Sequence, residues 1–322
     1  MTASAERTAI PLRNEIGIGL FLMVLSVLVS PVIDIFGKLA VDRVPAVQIA
    51  FARFLFQMLA LLPIVLMRGT LLDLTWRKTG LHAARGLLAA ITMITFVMTL
   101  SVMEVADAIA IFFVEPIILT ILGSIVLKET IGWRRYTACG VGFFGAMLVI
   151  QPSLQEVGPI ALLPVVSAFA LAGFLLITRL ASQSEDPWSM QVHAGFWGAL
   201  FTGILLLAGL FLDGRGAGHA LLSPVVPDTQ YGLYLLGAGA AATVSGVLGV
   251  YAYRAAPAST LAPLQYLEIV SATILGWWVF GHLPDLLKWV GIAIIIGSGL
   301  YIIWRERKVH KTATIPPVSP AI

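Results

Sequence analysis

Ten apolar runs dominate this chain, and each is long enough to cross the hydrocarbon core of a bilayer, which takes about 20 residues of helix. They cover residues 16–36, 47–67, 82–103, 105–127, 133–150, 159–180, 188–210, 231–253, 259–280 and 286–304. Only 11% of the residues are charged, against about 25% in soluble domains. Because backbone groups in hydrocarbon have no water to bond, each run is predicted to be an α-helix. The sequence therefore predicts an all-α integral membrane protein with ten transmembrane helices in the lipid bilayer.

The lysines and arginines fall mostly on one side of the predicted membrane. With the N-terminus cytoplasmic, fifteen of them lie in segments on the cytoplasmic side and four in external loops. Cytoplasmic loops are enriched in Lys and Arg, so both termini are predicted to be cytoplasmic in a multi-pass protein of the cell (inner) membrane. The net charge of +3 comes from these loops, and no nucleic-acid partner is expected.

Two stretches of the sequence repeat each other at an offset of 153 residues. Six of the twelve positions in 115–126 are identical to those in 268–279, and they include a glutamate, a threonine and a glycine. This match indicates an internal duplication, which divides the chain into two five-helix repeats, 16–151 and 158–304, between cytoplasmic tails 1–15 and 305–322. Because five spans is an odd number, the second repeat is predicted to have inverted topology, an arrangement that suits alternating access.

Glu115 and Glu268 are the equivalent acids of this repeat. Each is predicted to lie about ten residues into a helix, near the middle of the bilayer. Ionisable groups at that depth cost about 2.5–3.5 kcal/mol on insertion scales, so they usually face a partner or a watery cavity. One interpretation is that one or both carboxylates bind the substrate or a coupling proton. The other is that each is protonated, or hydrogen-bonded for packing between the repeats.

A polar stripe with four-residue spacing runs along the first span. It comprises Ser26, Ser30, Asp34 and Lys38. Pro31 lies within it and frees a backbone carbonyl one turn earlier. The stripe is predicted to face a polar pathway, and an Asp34–Lys38 pair at the outer mouth is the alternative.

Arg53 and Tyr266 are two further candidates for substrate contact. Arg53, inside the second span, is a candidate to bind a substrate carboxylate or to pair with Asp34 or Glu115, and extension to the membrane surface is the alternative. Tyr266 stands beside Gln265 and Glu268 and is predicted to contact the substrate. Most other aromatic residues are expected to face lipid or to anchor the protein at the interface.

The sequence lacks the motifs of the common cofactor and metal sites. Residues 140–145 read GVGFFG, but no strand precedes them, and glycines inside an apolar run favour close helix packing over dinucleotide binding. There is no P-loop and no HExxH or CxxC pair, so no cofactor, metal or enzyme activity is expected. His193 is expected to serve packing. The threonines of the third span, Thr92, Thr95 and Thr99, are expected to bond their own backbone.

Three places in the sequence carry a resemblance to a known family. They are Pro45 and Arg53 with seven residues between them, the stretch 106–116 followed by Leu127-Lys128-Glu129 and a glycine-rich run, and the stretch 258–263 followed by 281–299. Over 16–304 the chain resembles the EamA-type ten-helix members of the drug/metabolite transporter superfamily. The one departure is His282, where that family often has an acid equivalent to Glu129, and the change is expected to affect gating or packing.

The resemblance implies a secondary transporter of a small organic metabolite that works by alternating access. The family includes exporters of amino acids, aromatic ones among them, and importers of riboflavin or S-adenosylmethionine. Carboxylates, one arginine and aromatic residues suit a planar zwitterionic or heteroaromatic solute. Export of amino acids or related metabolites is the preferred prediction, and uptake of a heteroaromatic vitamin or nucleoside-like solute is the alternative. A passive channel and a membrane-embedded enzyme are the alternatives from other classes.

Overall fold

A computed structural model describes residues 12–69, 75–100, 112, 114–128, 132–150, 162–211, 222–280 and 286–312, which form helices joined by turns and short loops and contain no strand. Over them run twelve helices: α1 (Leu12–Val29), α2 (Pro31–Ala40), α3 (Ala46–Arg68), α4 (Trp76–Leu100), α5 (Glu115–Val126), α6 (Trp133–Ile150), α7 (Leu163–Ala181), α8 (Pro187–Leu210), α9 (Thr229–Ala255), α10 (Ala258–Gln265), α11 (Leu267–Phe280) and α12 (Leu286–Thr312).

Six helical segments of the described chain are long and apolar enough to cross a membrane. They are Glu15–Ala40, Ala46–Arg68, Trp76–Thr99, Leu163–Ala181, Pro187–Leu210 and Thr229–Ala255, and two shorter apolar helices, Glu115–Val126 and Trp289–Tyr301, accompany them. The exposed side chains of these segments are largely apolar, as expected where lipid rather than water surrounds the protein.

The first span is interrupted at Ser30, where α1 gives way to α2. Pro31 has no N–H to donate, so the carbonyl of Val27, four residues earlier, loses its helical partner. The Ser271 hydroxyl of α11 donates to that carbonyl at 3.3 Å. The predicted effect of Pro31 is thus confirmed, and the freed carbonyl ties the first span to α11.

Two predicted spans are wrong in detail. The run 259–280 is not one helix, because it breaks at Tyr266 between α10 and α11, so Glu268 lies in the first turn of a helix. Glu115 is likewise the first residue of α5, where Pro116 suits the first turn of a helix, and not a residue ten positions inside one. Residues 101–111 of that predicted span lie outside the described residues.

The most extensive helix packing joins the part of the chain before residue 151 to the part after 158. The four leading pairs are α3 with α8, α6 with α12, α4 with α7, and α1 with α9. Glycine permits one of these approaches, because a Cβ on Gly195 of α8 would lie 2.9 Å from the Phe54 carbonyl oxygen of α3. In the GVGFFG segment, a Cβ on Gly142 would lie 2.4 Å from the Tyr266 ring. The packing role predicted for that segment is confirmed.

Candidate functional site

A cavity with a largely apolar wall and several polar side chains lies between the helices where the two parts of the chain meet. It consists of two adjoining spaces of about 180 Å³ and about 140 Å³. The two spaces share six of their lining residues, which are Ser30, Ile33, Arg53, Thr92, Leu171 and Glu268. Ser30 lies at the junction of α1 and α2, and the other five residues come from α2, α3, α4, α7 and α11. A change in the relative position of the two parts of the chain therefore changes the shape of the cavity.

Three charged side chains meet at this cavity, and we call Asp34, Arg53 and Glu268 the cavity cluster. Asp34 and Arg53 interact electrostatically across α2 and α3, and Glu268 of α11 forms a side-chain hydrogen bond with Ser30. The buried Arg53 Nε has no hydrogen-bond partner among the described residues. A buried nitrogen without a partner costs free energy. Arg53 and Asp34 line the same space of the cavity, and a direct pairing between them stays a prediction.

Amide and hydroxyl groups form the rest of the polar wall. Gln57 Nε2 donates to Gln191 Oε1 at 2.8 Å, and Gln191 Nε2 donates to the Gly246 carbonyl at 2.6 Å. The Ser26 hydroxyl donates to the Ser245 carbonyl oxygen at 2.8 Å. The sequence analysis did not select Gln57, Gln191 or Ser245. The position of Gln57, one helical turn after Arg53, was a signal that could have identified it.

Gln265 connects the cavity to a buried glutamate behind its wall. Its Nε2 donates to the Tyr253 hydroxyl at 3.1 Å, and its side chain also hydrogen-bonds Glu115. Gln265 and Tyr253 line the cavity, whereas Glu115 and Tyr266 are not among its described lining residues. Of the six predicted site residues, the structure thus brings Asp34, Arg53, Gln265 and Glu268 together and leaves two behind the wall.

Tyr266 is fully buried and packs away from the cavity. It belongs to an apolar cluster with Ile269 of α11 and Ile295 of α12, and its ring lies against Gly142. The prediction of a direct substrate contact by Tyr266 is therefore not supported by its position. At the interruption between α10 and α11, Gln265 and Glu268 line the cavity, whereas Tyr266 contacts α6.

The threonines of α4 bond their own helix, as predicted. Thr92 donates to the Leu88 carbonyl at 2.8 Å, and Thr95 donates to the Ile91 carbonyl at 2.7 Å. Thr92 nevertheless lines both spaces of the cavity. Its methyl and hydroxyl groups therefore shape the wall while the helix satisfies the hydroxyl proton.

A second buried polar group, which we call the junction cluster, fills the contact between α4, α7 and α8. It comprises His82, Arg85, Thr178, Glu185 and His193. His82 Nε2 lies 2.7 Å from Glu185 Oε2, and the rings of His82 and His193 stack with centroids 4.3 Å apart. Arg85 Nε donates to the Thr178 hydroxyl and its Nη1 to the Met190 carbonyl, each at 3.0 Å. His193 is thus a packing residue, as predicted.

The pKa of Glu185 reflects the junction cluster. Burial alone raises this pKa, but the hydrogen bond from His82 and the positive charges of His82, Lys78 and Arg85 outweigh burial and hold it below its ordinary value of 4.5. Glu185 lies in the turn between α7 and α8. The turn is therefore fastened to α4 through an ionised carboxylate.

The family of the protein follows from the comparison with known sequences. A family model described as "EamA-like transporter family" matches residues 17–151 and 158–304. The chain belongs to the EamA-like transporter family, within the drug/metabolite transporter superfamily. It is therefore a multi-pass membrane protein and a small-molecule transporter of that type.

Several curated relatives match almost the full chain. An S-adenosylmethionine uptake transporter of Rickettsia bellii is 30% identical over 91% of this chain and 95% of its own length. Riboflavin transporters of Brucella anthropi and Rhizobium johnstonii are 27% and 30% identical, over 84% and 82% of this chain and 92% and 83% of their own lengths. A solved crystal structure aligns with a TM-score of 0.71 over 92% of this chain and 99% of its own, at 15% identity. That likeness shows the fold alone.

Proposed function

We propose that the protein is a secondary transporter of a small organic metabolite, in which two inverted five-helix repeats, 16–151 and 158–304, rock about the cavity. The leading helix contacts all join one proposed repeat to the other. The chain is also interrupted just before each of the equivalent residues Glu115 and Glu268. Interrupted helices at a repeat interface are a common way to build a transporter site. The observation that carries the proposal is the cavity cluster at that interface.

Ten spans with both termini cytoplasmic complete this proposal, with tails 1–15 and 305–322 inside the cell. The excess of Lys and Arg on one side supports it. Single cysteines placed at Ser153 and Lys308 test the orientation with an impermeant thiol reagent added outside. Ser153→Cys is expected to react and Lys308→Cys is not, and external reactivity at position 308 would overturn the topology.

The proposed substrate carries both a cationic and an anionic group. Asp34 and Glu268 offer carboxylates to a cation, and the Arg53 side chain offers a guanidinium to an anion. Free amino acids have this pair of groups, and so does the amino-acid end of S-adenosylmethionine. Export of amino acids, aromatic ones included, remains our first candidate on this chemistry. Buried charges of opposite sign then recognise the two ends of the solute.

Uptake of a nucleoside-like or heteroaromatic solute is the second candidate. The names of the relatives favour it, because these are S-adenosylmethionine uptake and riboflavin transporters. Amino acids and S-adenosylmethionine share an amino-acid group and differ in the rest of the molecule. Riboflavin has no amino-acid group. The cavity cluster therefore ranks S-adenosylmethionine above riboflavin within this second candidate.

A ligand screen followed by counterflow tests both candidates. Purified protein is heated with methionine, phenylalanine, S-adenosylmethionine or riboflavin, and a ligand at 100 times its Kd stabilises by about 2.7 kcal/mol. Hits then enter counterflow in proteoliposomes, where a carrier accumulates label against unlabelled internal solute and a channel does not. Stabilisation and counterflow with phenylalanine support the first candidate, and those with S-adenosylmethionine alone support the second. Solute flux without counterflow would overturn the carrier mechanism.

A further inference from the structure

Glu115 and Glu268 occupy equivalent positions of the internal repeat but have different surroundings. Glu268 lines both spaces of the cavity and bonds Ser30. Glu115 is only 2% exposed, and its Oε1 has no hydrogen-bond partner within the described ranges. A buried carboxyl oxygen without a partner costs free energy. The surroundings of the Glu115 carboxyl group are therefore energetically unfavourable in this conformation.

The local backbone is alike at the two glutamates. Each lies in the first turn of a helix that begins after an interruption, α5 for Glu115 and α11 for Glu268. Beyond the interruption the helices differ in exposure to the cavity. From α11, Glu268, Ile269 and Ala272 line it, whereas α5 contributes none of the described lining residues. The two acids thus differ in the position of their helix relative to the cavity and not in their place within the helix.

The wall between Glu115 and the cavity is one side chain thick. Gln265 bonds Glu115 on one side and lines the cavity on the other. Gln265 ends α10, which packs against α5. A shift of α10 along α5 would therefore expose Glu115 to the cavity without unfolding either helix.

We propose that Glu115 is the cavity carboxylate of the oppositely open conformation, so that the two equivalent glutamates alternate at the substrate. In this conformation Glu268 faces the cavity and Glu115 is held behind Gln265. In the other conformation the repeats exchange roles, Glu115 faces the cavity and Glu268 is covered. The inference rests on the proposed alternating access of inverted repeats, in which two conformations interchange the roles of the halves. Each conformation then offers the substrate one of the two equivalent acids.

Chemical tagging of the unmutated protein tests this alternation. Right-side-out and inside-out vesicles are treated with a water-soluble carbodiimide and taurine, an amine that does not cross membranes, and tagged peptides are identified by mass spectrometry. Glu268 is expected to be tagged mainly from one face and Glu115 mainly from the opposite face, because in alternating access the cavity opens to one side of the membrane at a time. The exposed carboxylates of Glu15 and Asp42, at opposite ends of the first span, report the face that taurine reached.

Two outcomes separate the failure of this inference from the failure of the proposed function. The same vesicles are assayed for counterflow of labelled phenylalanine and S-adenosylmethionine. If counterflow persists while both glutamates are tagged from one face, or Glu115 from neither, the alternation is rejected and the transporter stands. Absence of counterflow with every solute of the panel rejects the carrier itself and the alternation with it. As a second measurement, Glu115→Cys and Glu268→Cys are probed from each face with an impermeant thiol reagent, and the same opposite-face pattern is expected.

Discussion

The cavity cluster and the junction cluster use similar residues for different purposes. Each has an arginine from the first repeat near a carboxylate, and each lies between elements of both repeats. In the junction cluster, Arg85 is 0% exposed and two of its nitrogens donate to Thr178 and Met190. In the cavity cluster, Arg53 borders open space and its Nε has no partner among the described residues. Arg85 Nη2 and His82 Nδ1 of the junction cluster also lack a partner among the described residues. The two clusters therefore differ in their surroundings, because the junction cluster is packed between helices and the cavity cluster borders open space. We expect the first to hold helices together and the second to contact a solute.

The largest expected effect is on transport, from a change in the cavity cluster. Glu268→Gln removes the charge of the one acid that lines both spaces and keeps the size of the side chain. Counterflow is expected to fall to background, while the free energy of unfolding changes by less than about 1 kcal/mol, as is typical when a group at a binding site is replaced by a similar one. Asp42→Asn, which neutralises an exposed carboxylate, is the matched control. Wild-type counterflow in Glu268→Gln would remove Glu268 from the site.

The next effect is on stability, from a change in the junction cluster. Arg85→Met keeps much of the side-chain length but loses the donors to Thr178 and to the Met190 carbonyl. Buried hydrogen bonds to a charged group contribute roughly 1.5–3 kcal/mol each, so a loss of about 3 kcal/mol is expected in thermal unfolding of the purified protein. Arg43→Met, at an exposed position, should change stability little. If Arg85→Met unfolds like the wild type, the distinction between the two clusters fails.

A smaller effect is expected from pH, through Glu185. Because the folded-state pKa of Glu185 is below 4.5, its ionised form adds stability above pH 4.5, and this contribution is lost as the pH falls through the lowered pKa. Glu185→Gln is expected to flatten this acid-side decline in the melting temperature and to leave the slope at neutral pH unchanged. An identical acid-side decline in the wild type and in Glu185→Gln would contradict the electrostatic account of the junction cluster.

The sequence predicted those features that depend on one helix at a time. Pro31 interrupts the first span and the α4 threonines bond their own backbone, because both effects arise within a few residues of the chain. Asp34 and Arg53 were both predicted site residues, and they line the same space of the cavity. Periodicity could not reveal the interruption at Tyr266, because apolar residues continue through it. That continuity explains the error about the depth of Glu268.

Contacts between segments that are far apart in the chain could not be predicted from the sequence. His82 and Glu185 are 103 positions apart, and nothing in the spacing of either residue indicates the other. Gln191 and Ser245 belong to the cavity wall only because α8 and α9 pack beside α3 and α1. Which helices pack against each other depends on the shapes of many side chains together. Polar residues in an apolar run could therefore be recognised one by one, but they could not be assigned to one site.

The smallest expected effect separates a hydrogen bond between helices from one within a helix. Ser245→Ala removes the hydroxyl that donates to the Ser26 carbonyl of α1, whereas Ser298→Ala removes a hydroxyl that bonds Ile295 of its own helix. Side-chain hydrogen bonds inside a membrane contribute about 0.6 kcal/mol on average, and Ser245→Ala should lose about that amount. It should also alter the counterflow rate, because α1 and α9 form the wall around the cavity. Ser298→Ala should leave that rate unchanged, since its bond does not cross between helices. Equal effects of the two variants on transport would show that bonds between the repeats do not govern the motion of the wall.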